Sequence, residues 1–272
     1  MNIFKDKTAI VTGGASGMGE AVCRKLADEG ANVIVADIQS EKAEKVAEEI
    51  RAGGGKARSA SIDVTDKEAI SSLVENTAGE FGHLDYIFNN AGILFVGEAR
   101  DMKPAQWEKI VSINTMGVLH GTLAAYTVML RQGSGHIVNT ASMAGLIYMP
   151  VTVAYNMTKH AVVGLSLSLR AEAAGLGVRV SAVCPGLVKT PLYDTSLSER
   201  TSTPDVMGLL PIQGCTAEKA ADYILSGVRK NKALITFPLH AKILWLTYRL
   251  MPLVMVRFMQ IPVRYIRKKI RK

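Results

Sequence analysis

Short runs of apolar, often β-branched residues alternate along this chain with amphipathic segments. The first three runs, Thr8–Thr12, Asn32–Ala36 and Ala57–Ile62, each have the length of a strand. Between them, apolar residues recur at helical spacing as far as Ala27 and again over 40–52. Strands that alternate with helices in this way predict a parallel sheet covered by helices.

The same alternation continues through the middle of the chain. The further predicted strands are Leu84–Phe88, His136–Thr140, Val178–Cys184 and Ala233–Phe237. The further predicted helices are 66–81, Gln106–Arg131 and Tyr155–Ala174. The pattern predicts an α/β fold with a doubly wound parallel sheet of about seven strands and helices on both faces. Because no repeat or low-complexity linker interrupts residues 1–237, we expect them to form one domain.

Glycines fill the turn after the first strand, at Gly13-Gly14 and again at Gly17-Met18-Gly19. Glycine lets the backbone approach a pyrophosphate closely, and a helix N-terminus supplies free N–H groups for it. Asp37 ends the second strand, and a carboxylate there can accept hydrogen bonds from a ribose diol and would repel a 2′-phosphate. The glycines alone also suit an ordinary tight turn. Together with Asp37 they predict a dinucleotide site that prefers NAD to NADP.

Polar residues also follow the third and fourth strands. Asp63 can contact the adenine edge, or it can belong to the cap of the helix at 66–81. The amide and small residues Asn89-Asn90-Ala91-Gly92 stand where parallel strands open onto a ligand crevice. Asn114 lies inside a predicted helix, where asparagine is unfavourable, and therefore marks a local distortion or a water site.

Tyr155 and Lys159 occupy positions i and i+4 of a predicted helix and therefore share one face. A nearby ammonium favours the phenolate, so the pair can move a proton near neutral pH. Ser142, upstream of this pair, can hold a substrate oxygen. The alternative is an ordinary pair on an amphipathic helix. The glycine turn, Asp37 and Asn114 favour the catalytic interpretation.

Taken in order, these motifs resemble those of the short-chain dehydrogenase/reductase family, over roughly residues 5 to 237. The motifs that carry the resemblance are Thr12-Gly13-Gly14-Ala15-Ser16-Gly17-Met18-Gly19, Asp63-Val64, Asn89-Asn90-Ala91-Gly92, Asn114, Ser142, Tyr155-x-x-x-Lys159, and Pro185-Gly186 with Thr190. The resemblance implies a Rossmann fold and hydride transfer between a nicotinamide and a secondary alcohol or ketone.

The resemblance also implies a role for each site residue. Tyr155 would be the general acid/base, and Ser142 would polarise the carbonyl or alcohol oxygen. Lys159 would hold the nicotinamide ribose and lower the pKa of Tyr155, while Asn114 would anchor a proton-relay water. The implied cofactor-binding residues are Gly13, Ser16, Gly17, Met18, Gly19, Asp37, Asp63, Val64, Asn90, Ala91, Gly92, Tyr155, Lys159, Pro185, Gly186, Val188 and Thr190.

Two other functions fit the same fold. A reductase of 3-oxoacyl thioesters would predict NADP, which Asp37 opposes, as does Ser16 at a position where NADP-using relatives often carry a basic residue. A non-catalytic dinucleotide-binding scaffold predicts loss of Ser142, Tyr155 or Lys159, and all three are present.

Apolar residues flank the expected crevice on two sides. They are Leu187, Val188, Leu192, Tyr193, Leu197, Val206, Met207, Leu209 and Leu210 on an irregular lid, Leu187–Gln213, and Ile93, Leu94, Phe95, Met143, Leu146 and Met149 opposite it. Either they line a pocket for a hydrophobic, sterol-, lipid- or retinoid-like substrate, or they pack the lid on the body. The predicted substrate contacts are Leu94, Ser142, Met143, Tyr155 and Leu192.

Charge is distributed unevenly along the chain. The net charge of +8 arises after Asp222, the last acidic residue, because twelve Lys and Arg residues follow it. The preceding part carries no basic excess, which argues against nucleic acid as a partner.

Three cysteines without metal-ligand spacing and the absence of a secretory signal predict a reduced, cytoplasmic protein without a metal site. The resemblance implies a homodimer or homotetramer built on the helices at 106–131 and 155–174.

Residues 238–272 form a predicted helical extension rather than an independent domain. Its prolines divide it into two or three short helices. At 100° per residue, an arc of about 80° contains Lys242, Arg249, Arg257, Gln260, Arg264, Arg267 and Arg271, beside a broad apolar face. The longest uncharged run in the extension, Leu250–Val256, has seven residues, too few to span a bilayer. The segment 239–272 therefore either lies on an anionic membrane surface or packs on the domain or on another subunit.

Overall fold

The computed structural model describes residues 2–198 and 214–269. Seven strands, β1 to β7, form one sheet in the order β7-β6-β5-β4-β1-β2-β3, with every neighbouring pair parallel. They are Thr8–Thr12, Asn32–Asp37, Lys56–Ser61, Tyr86–Asn89, Gly135–Thr140, Val178–Pro185 and Leu234–Phe237. The predicted α/β fold with a doubly wound parallel sheet is confirmed.

Helices connect the strands and cover both faces of the sheet. Helices α1 to α7 are Gly17–Asp28, Ser40–Ala52, Lys67–Phe81, Pro104–Val111, Val118–Gln132, Val153–Glu172 and Ala217–Arg229. The single helix predicted over 106–131 is α4 and α5 joined by a π-helical turn, Ser112–Gly117, so the distortion expected at Asn114 is present. Helix α7 was not predicted, although the hydroxyl of Thr216 caps it by accepting from the N–H of Lys219 at 3.3 Å.

The core lies in two layers, one on each face of the sheet. Every residue of β1 is buried, as expected for a strand covered on both faces. Its side chains alternate, so that Ala9 and Val11 pack with α1, α2 and α7, while Ile10 packs with α3, α5 and α6. The apolar runs in the sequence are therefore nearly continuous rather than alternating.

The strand order reverses direction at β1, which lies between β2 and β4. The chain builds β2 and β3 on one side of β1 and then crosses to the other side to build β4 to β7. The loops that leave the carboxyl ends of β1 and β4 therefore diverge, and they open the crevice in which doubly wound folds bind ligands. The polar residues singled out after these strands lie at this edge.

The C-terminal extension forms two helices, α8 (Leu239–Leu250) and α9 (Pro252–Lys269). They are separated by Met251, whose φ of −135° and ψ of 58° are not helical, so one uniform helical phase does not hold across the extension. Ala241 of α8 is buried against Met143 and Ile147 of the body. Within residues 2–198 and 214–269, no helix is long and apolar enough to cross a membrane.

Candidate active site

The glycine turn brings backbone very close to backbone. Gly13 has a φ of 64° and Gly17 a φ of 55°, a region that residues with a Cβ rarely adopt. A Cβ atom added to Gly19 would lie 2.0 Å from the carbonyl oxygen of Gly13, so α1 begins directly against the turn. The free N–H groups of the first turn of α1 therefore lie beside a glycine turn that lines a cavity, and this arrangement fits a pyrophosphate.

Thr12 and Asn90 fasten the loop after β4 to this turn. The hydroxyl oxygen of Thr12 accepts hydrogen bonds from the N–H groups of Asn90 and Ala91, at 3.0 and 3.2 Å. The side-chain amide of Asn90 donates in return to the carbonyl oxygens of Thr12 and Gly13, at 3.2 and 3.3 Å. The positioning role of Thr12 was not predicted; the signal for it was a polar residue at the end of a fully buried strand.

Asp37 lies at the end of β2 and is almost completely buried. One carboxylate oxygen accepts from the N–H of Ala15 at 3.1 Å and the other from the N–H of Gln39 at 2.9 Å. These two bonds fix the carboxylate at the edge of the glycine turn, and a carboxylate has about four acceptor positions, so it can also accept from a ribose diol.

Asp63 is exposed and accepts from both the N–H and the hydroxyl of Thr65, each at 2.8 Å. The cap of α3 is instead Asp66, which accepts from the N–H of Ala69 at 2.9 Å. Asp63 therefore belongs to the turn that precedes the cap, and both Asp63 and Val64 line the crevice.

Asn114 is completely buried in the π-helical turn between α4 and α5. Its amide oxygen accepts from the N–H of Ile93 at 2.8 Å, and its amide nitrogen donates to the carbonyl oxygen of Ile93 at 2.9 Å. The same nitrogen lies 3.3 Å from the hydroxyl of Thr158 on α6. The side chain thus ties the loop after β4 to the catalytic helix, and the water-anchoring role of Asn114 stays a prediction.

Ser142, Tyr155 and Lys159 meet where β5 ends beside α6. The Ser142 hydroxyl accepts from the N–H of Ala144 at 3.1 Å and lines the same cavity as Tyr155. The ammonium of Lys159 donates to the carbonyl oxygen of Thr140 at 2.9 Å and lies 5.6 Å from the centroid of the Tyr155 ring. The three side chains predicted to carry the chemistry therefore form one group.

Burial dominates the electrostatics of this group. It raises the pKa of Tyr155, and the neighbouring Tyr193 adds to the rise, while the hydrogen bond with Ser142 works in the opposite direction. Burial lowers the pKa of Lys159 from 10.5 to about 8. The structure thus differs from the expectation that Lys159 lowers the pKa of Tyr155. The reason is that desolvation penalises both the phenolate and the ammonium.

A cavity of about 410 Å³ joins the glycine turn, Asp37 and the Ser142, Tyr155 and Lys159 group. The predicted residues that line it are Gly13, Ser16, Gly17, Met18, Asp37, Asp63, Val64, Asn90, Ala91, Gly92, Ser142, Tyr155, Lys159, Pro185, Gly186, Val188, Thr190 and Leu192. Lining residues that were not assigned to the site are Ile38, Gln39, Lys42, Ile62, Ile113, Thr140, Ala141, Pro191 and Thr195. Ile38 follows Asp37 directly, and its apolar side chain is 65% exposed. Its position beside Asp37 was the signal in the sequence.

Other predicted site residues lie behind this surface. Gly19 supports the turn from within α1, and Leu94 is buried beside Tyr155, Leu192 and Tyr193. Met143 was expected to touch substrate, but it is buried among Ile147 and the side chains of α8.

The extension covers Met143, and nothing in the sequence indicated where the extension packs. Four predicted lid residues lie outside the described residues: Val206, Met207, Leu209 and Leu210. In the described part of the chain, no group of three or more His, Cys, Asp and Glu residues is arranged to hold a metal ion.

Known proteins carry the same fold and sequence pattern. The chain matches the short chain dehydrogenase family over residues 7–201. A cyclohexanol dehydrogenase of Acinetobacter sp. strain SE19 is 38% identical over 192 residues, which cover 70% of this chain and 76% of that protein. An uncharacterized oxidoreductase of Listeria innocua is 36% identical over 223 residues, which cover 81% and 90%.

A crystal structure supports the same relationship. It is that of a short chain dehydrogenase/reductase from Burkholderia phymatum in complex with NAD, 28% identical with a TM-score of 0.80, and the match covers 86% of this chain and 89% of that one. Fold and site together define an oxidoreductase that acts on CH–OH groups. The chain belongs to the short-chain dehydrogenase/reductase family, whose members use NAD or NADP.

Proposed function

We propose that this protein is an NAD-dependent oxidoreductase that transfers a hydride between the nicotinamide and a hydrophobic secondary alcohol or ketone. The observation that carries this proposal is the shared cavity. The proton-transfer group of Ser142, Tyr155 and Lys159 opens onto the same space as the glycine turn and Asp37. A cofactor bound at one end therefore has its reactive part beside the group that moves protons.

The residues at the cofactor end fit a dinucleotide. The turn at Gly13 and Gly17 and the N-terminus of α1 suit the pyrophosphate, and Asp37 suits the ribose diol. Lys159, which is 3% exposed, suits the hydroxyls of the second ribose. When bound, the nicotinamide supplies the hydride acceptor or donor.

The protein's own groups would manage the proton. As an alcohol is oxidised, its hydroxyl proton passes to Tyr155 while the hydride leaves the carbon, and in reduction Tyr155 returns that proton to the oxygen. Ser142 donates a second hydrogen bond to the same oxygen and stabilises its developing charge. Because burial raises the pKa of Tyr155, the phenol keeps its proton near neutral pH, and we expect alcohol oxidation to become faster as the pH rises.

Asp37 supports the preference for NAD. A buried carboxylate at the ribose repels the 2′-phosphate of NADP, and Ser16 offers no positive charge to compensate. Lys42 lines the same end of the cavity and lies 2.7 Å from the side-chain oxygen of Gln39. We therefore expect Asp37→Ser to reduce the ratio of activity with NAD to activity with NADP. Lys42 is the cation that would then contact the 2′-phosphate of NADP.

Apolar side chains support a hydrophobic substrate. Ile93, Val188, Leu192 and Tyr193 line the same cavity as Tyr155. The similarity to a protein named cyclohexanol dehydrogenase, whose name gives an apolar cyclic secondary alcohol, agrees with this.

A substrate panel with NAD and with NADP, followed by the absorbance of the reduced nicotinamide, tests the proposal. The panel contains apolar cyclic and long-chain secondary alcohols, small polyols, sugars and 3-oxoacyl thioesters. We expect turnover of the apolar alcohols with NAD. Turnover confined to polyols and sugars would exclude the hydrophobic substrate, turnover of acyl thioesters with NADP would favour the thioester reductase, and NAD binding without any turnover would favour the scaffold.

Tyr155→Phe tests the mechanism on the best substrate of that panel. We expect the rate to fall by about 10²- to 10⁴-fold, the usual contribution of a positioned acid or base. The matched control is Tyr148→Phe, since Tyr148 is 53% exposed and contacts His160 and Tyr248 rather than the cavity. Near-normal turnover by Tyr155→Phe would overturn the mechanism.

The homodimer or homotetramer stays a prediction. Leu123 and Leu130 of α5 and Leu167 of α6 are 48%, 39% and 36% exposed, and such apolar positions support association through these helices. Light scattering coupled to size-exclusion chromatography gives the number of copies.

A further inference from the structure

Helix α8 has two apolar faces that point in opposite directions. Toward the body, Ala241 is buried, and Leu244, Trp245 and Tyr248 pack partly buried beside it. On the other side, large apolar residues follow the i, i+4, i+7, i+11 spacing of a single helix face. They are Leu239, Ile243, Leu246 and Leu250, which are 71%, 54%, 43% and 82% exposed. Folding of the chain accounts for the first face and leaves the second without a partner among the described residues.

Helix α9 repeats this arrangement. Met259 and Val263, half-buried, line a cavity between α9 and the start of α6. On the other side, Val254, Phe258 and Ile261 follow the i, i+4, i+7 spacing and are 42%, 59% and 61% exposed. A monomeric protein rarely presents seven large apolar side chains on two adjoining helices without a function for them.

The charges around this surface all have the same sign. Lys242 and Arg249 of α8 and Arg257 and Arg264 of α9 are exposed beside the apolar residues. Residues 239–272 contain nine Lys and Arg residues and no Asp or Glu. If two copies met through these helices, they would place cations against cations, which is unfavourable, whereas an anionic surface would complement them.

We propose that the outer faces of α8 and α9 bind the surface of an anionic lipid bilayer, with the helices parallel to the membrane plane. The apolar side chains would enter the boundary between headgroups and acyl chains, and the basic side chains would pair with anionic headgroups. The occupant is a lipid surface because an anionic bilayer supplies both an apolar layer and a dense negative charge.

The extension also lies next to the active site. Met143, which packs on Ala241, directly follows Ser142 in the chain. A Cβ added to Gly186, which lines the cofactor cavity, would lie 2.9 Å from the Cβ of Ala241. A bilayer bound to α8 and α9 would therefore lie near the catalytic cavity, where it could supply a substrate that partitions into lipid.

Cosedimentation of the full-length protein with vesicles tests this proposal. The vesicles are phosphatidylcholine alone and phosphatidylcholine mixed with phosphatidylglycerol. We expect binding to the anionic vesicles that weakens as salt is added, because surface charges are screened. No binding to the anionic vesicles, or equal binding to both kinds, would overturn the proposal.

Matched variants distinguish binding by the outer apolar residues of α8 from nonspecific binding by any exposed apolar side chain. Ile243→Ser/Leu246→Ser/Leu250→Ser removes three of the four outer apolar residues of α8, and we expect it to weaken vesicle binding strongly without moving the unfolding transition. Two single variants with similar exposure are also compared, Leu246→Ser and Leu176→Ser. Leu246 is 43% exposed on α8, and Leu176 is 47% exposed in a turn of the body. Equal losses by both members of the pair would contradict the assignment of the surface.

A second pair of variants tests the charge. Each basic residue near an anionic surface contributes about 1 kcal/mol, so Arg249→Gln/Arg257→Gln should weaken binding about 30-fold. Lys45→Gln/Lys230→Gln, which removes two exposed charges from α2 and the end of α7, should leave it unchanged. If the triple serine variant instead dissociates an oligomer while the intact protein does not bind vesicles, a second copy of the chain covers the apolar face. In that case the lipid proposal is wrong.

Discussion

The sheet and the C-terminal extension use similar apolar side chains in opposite ways. In the sheet, Ile10, Ile34 and Ile137 are completely inaccessible to solvent, whereas Leu250 and Leu253 of the extension are 82% and 81% exposed. Burial of such a side chain contributes about 1.5–3 kcal/mol to folding, so the sheet leucines and isoleucines stabilise the fold and the exposed ones do not. Apolar residues that folding does not require are available for binding.

The first test of this contrast is a truncation in the sheet core. Ile137→Ala should lower the free energy of unfolding by about 2–5 kcal/mol, because it removes buried methylene groups and leaves a cavity. Urea unfolding followed by circular dichroism measures it. Ile137→Val is the control and should cost only about 0.5–1.5 kcal/mol. Equal losses for the two variants would mean that the site collapses around the smaller side chain.

The second test concerns Lys159, a cation that is 3% exposed. Its pKa of about 8 lies below the value of 10.5 in the unfolded chain, so between these pH values the unfolded state binds one proton more, and this residue makes stability rise with pH. Lys159→Met removes that slope. The variant should gain stability relative to the original protein below pH 8, by an amount that shrinks by roughly 3 kcal/mol by pH 10.5.

Urea unfolding of both proteins across this pH range gives the difference. Taking the difference cancels the titration of Tyr155 and Cys184, whose raised pKa values act in the opposite direction. Activity should fall in the same variant, since the group proposed to hold the ribose is gone. A pH-independent difference in stability would contradict the lowered pKa of Lys159.

The third test uses one substitution at two glycines. At Gly19 the new Cβ would lie 2.0 Å from a backbone oxygen, and we expect Gly19→Ala to destabilise the protein by about 1–3 kcal/mol and to abolish NAD binding. At Gly79, inside α3, a Cβ would meet nothing within 4 Å, and Gly79→Ala should stabilise by about 0.5–1 kcal/mol. Thermal unfolding and isothermal titration with NAD separate the two, and the same sign at both positions would contradict this account.

The smallest expected effect is in the extension. Leu253→Ala should change the free energy of unfolding by less than about 0.5 kcal/mol, because its side chain gains almost no burial on folding. Chemical unfolding in the absence of lipid measures it. A loss of 2 kcal/mol or more, comparable with that expected for Ile137→Ala, would show that another copy of the chain buries Leu253 in solution.

The sequence predicted the sheet well because its signals are local. The ends of β1 agree with the prediction, and those of β2 to β7 lie within two residues of it. A strand buried on both faces, such as β1, is apolar throughout and ends at turn residues, so its signal is strong. Asn114 marked a real distortion for an equally local reason, its poor fit to a regular helix. The family match confirms the predicted reaction class.

The features that could not be predicted from the sequence depend on contacts between distant segments. Met143 was expected among the apolar residues that flank the substrate crevice, but α8, a hundred residues later, covers it. The balance of burial and charge that sets the pKa of Tyr155 likewise depends on Tyr193, thirty-eight residues away. The break at Met251 rotates α9 relative to α8, so a helical wheel drawn over the whole extension could not locate its faces.

The position of α8 and α9 after the edge strand β7 has a consequence for biosynthesis. The ribosome makes the extension after β1 to β7, so the strands of the body are available to fold before α8 and α9 emerge. The exposed apolar faces of the two helices therefore join a body whose strands have already been made. In a test tube they are present from the first moment of refolding, so the full chain should refold from denaturant in lower yield than a chain that ends before α8.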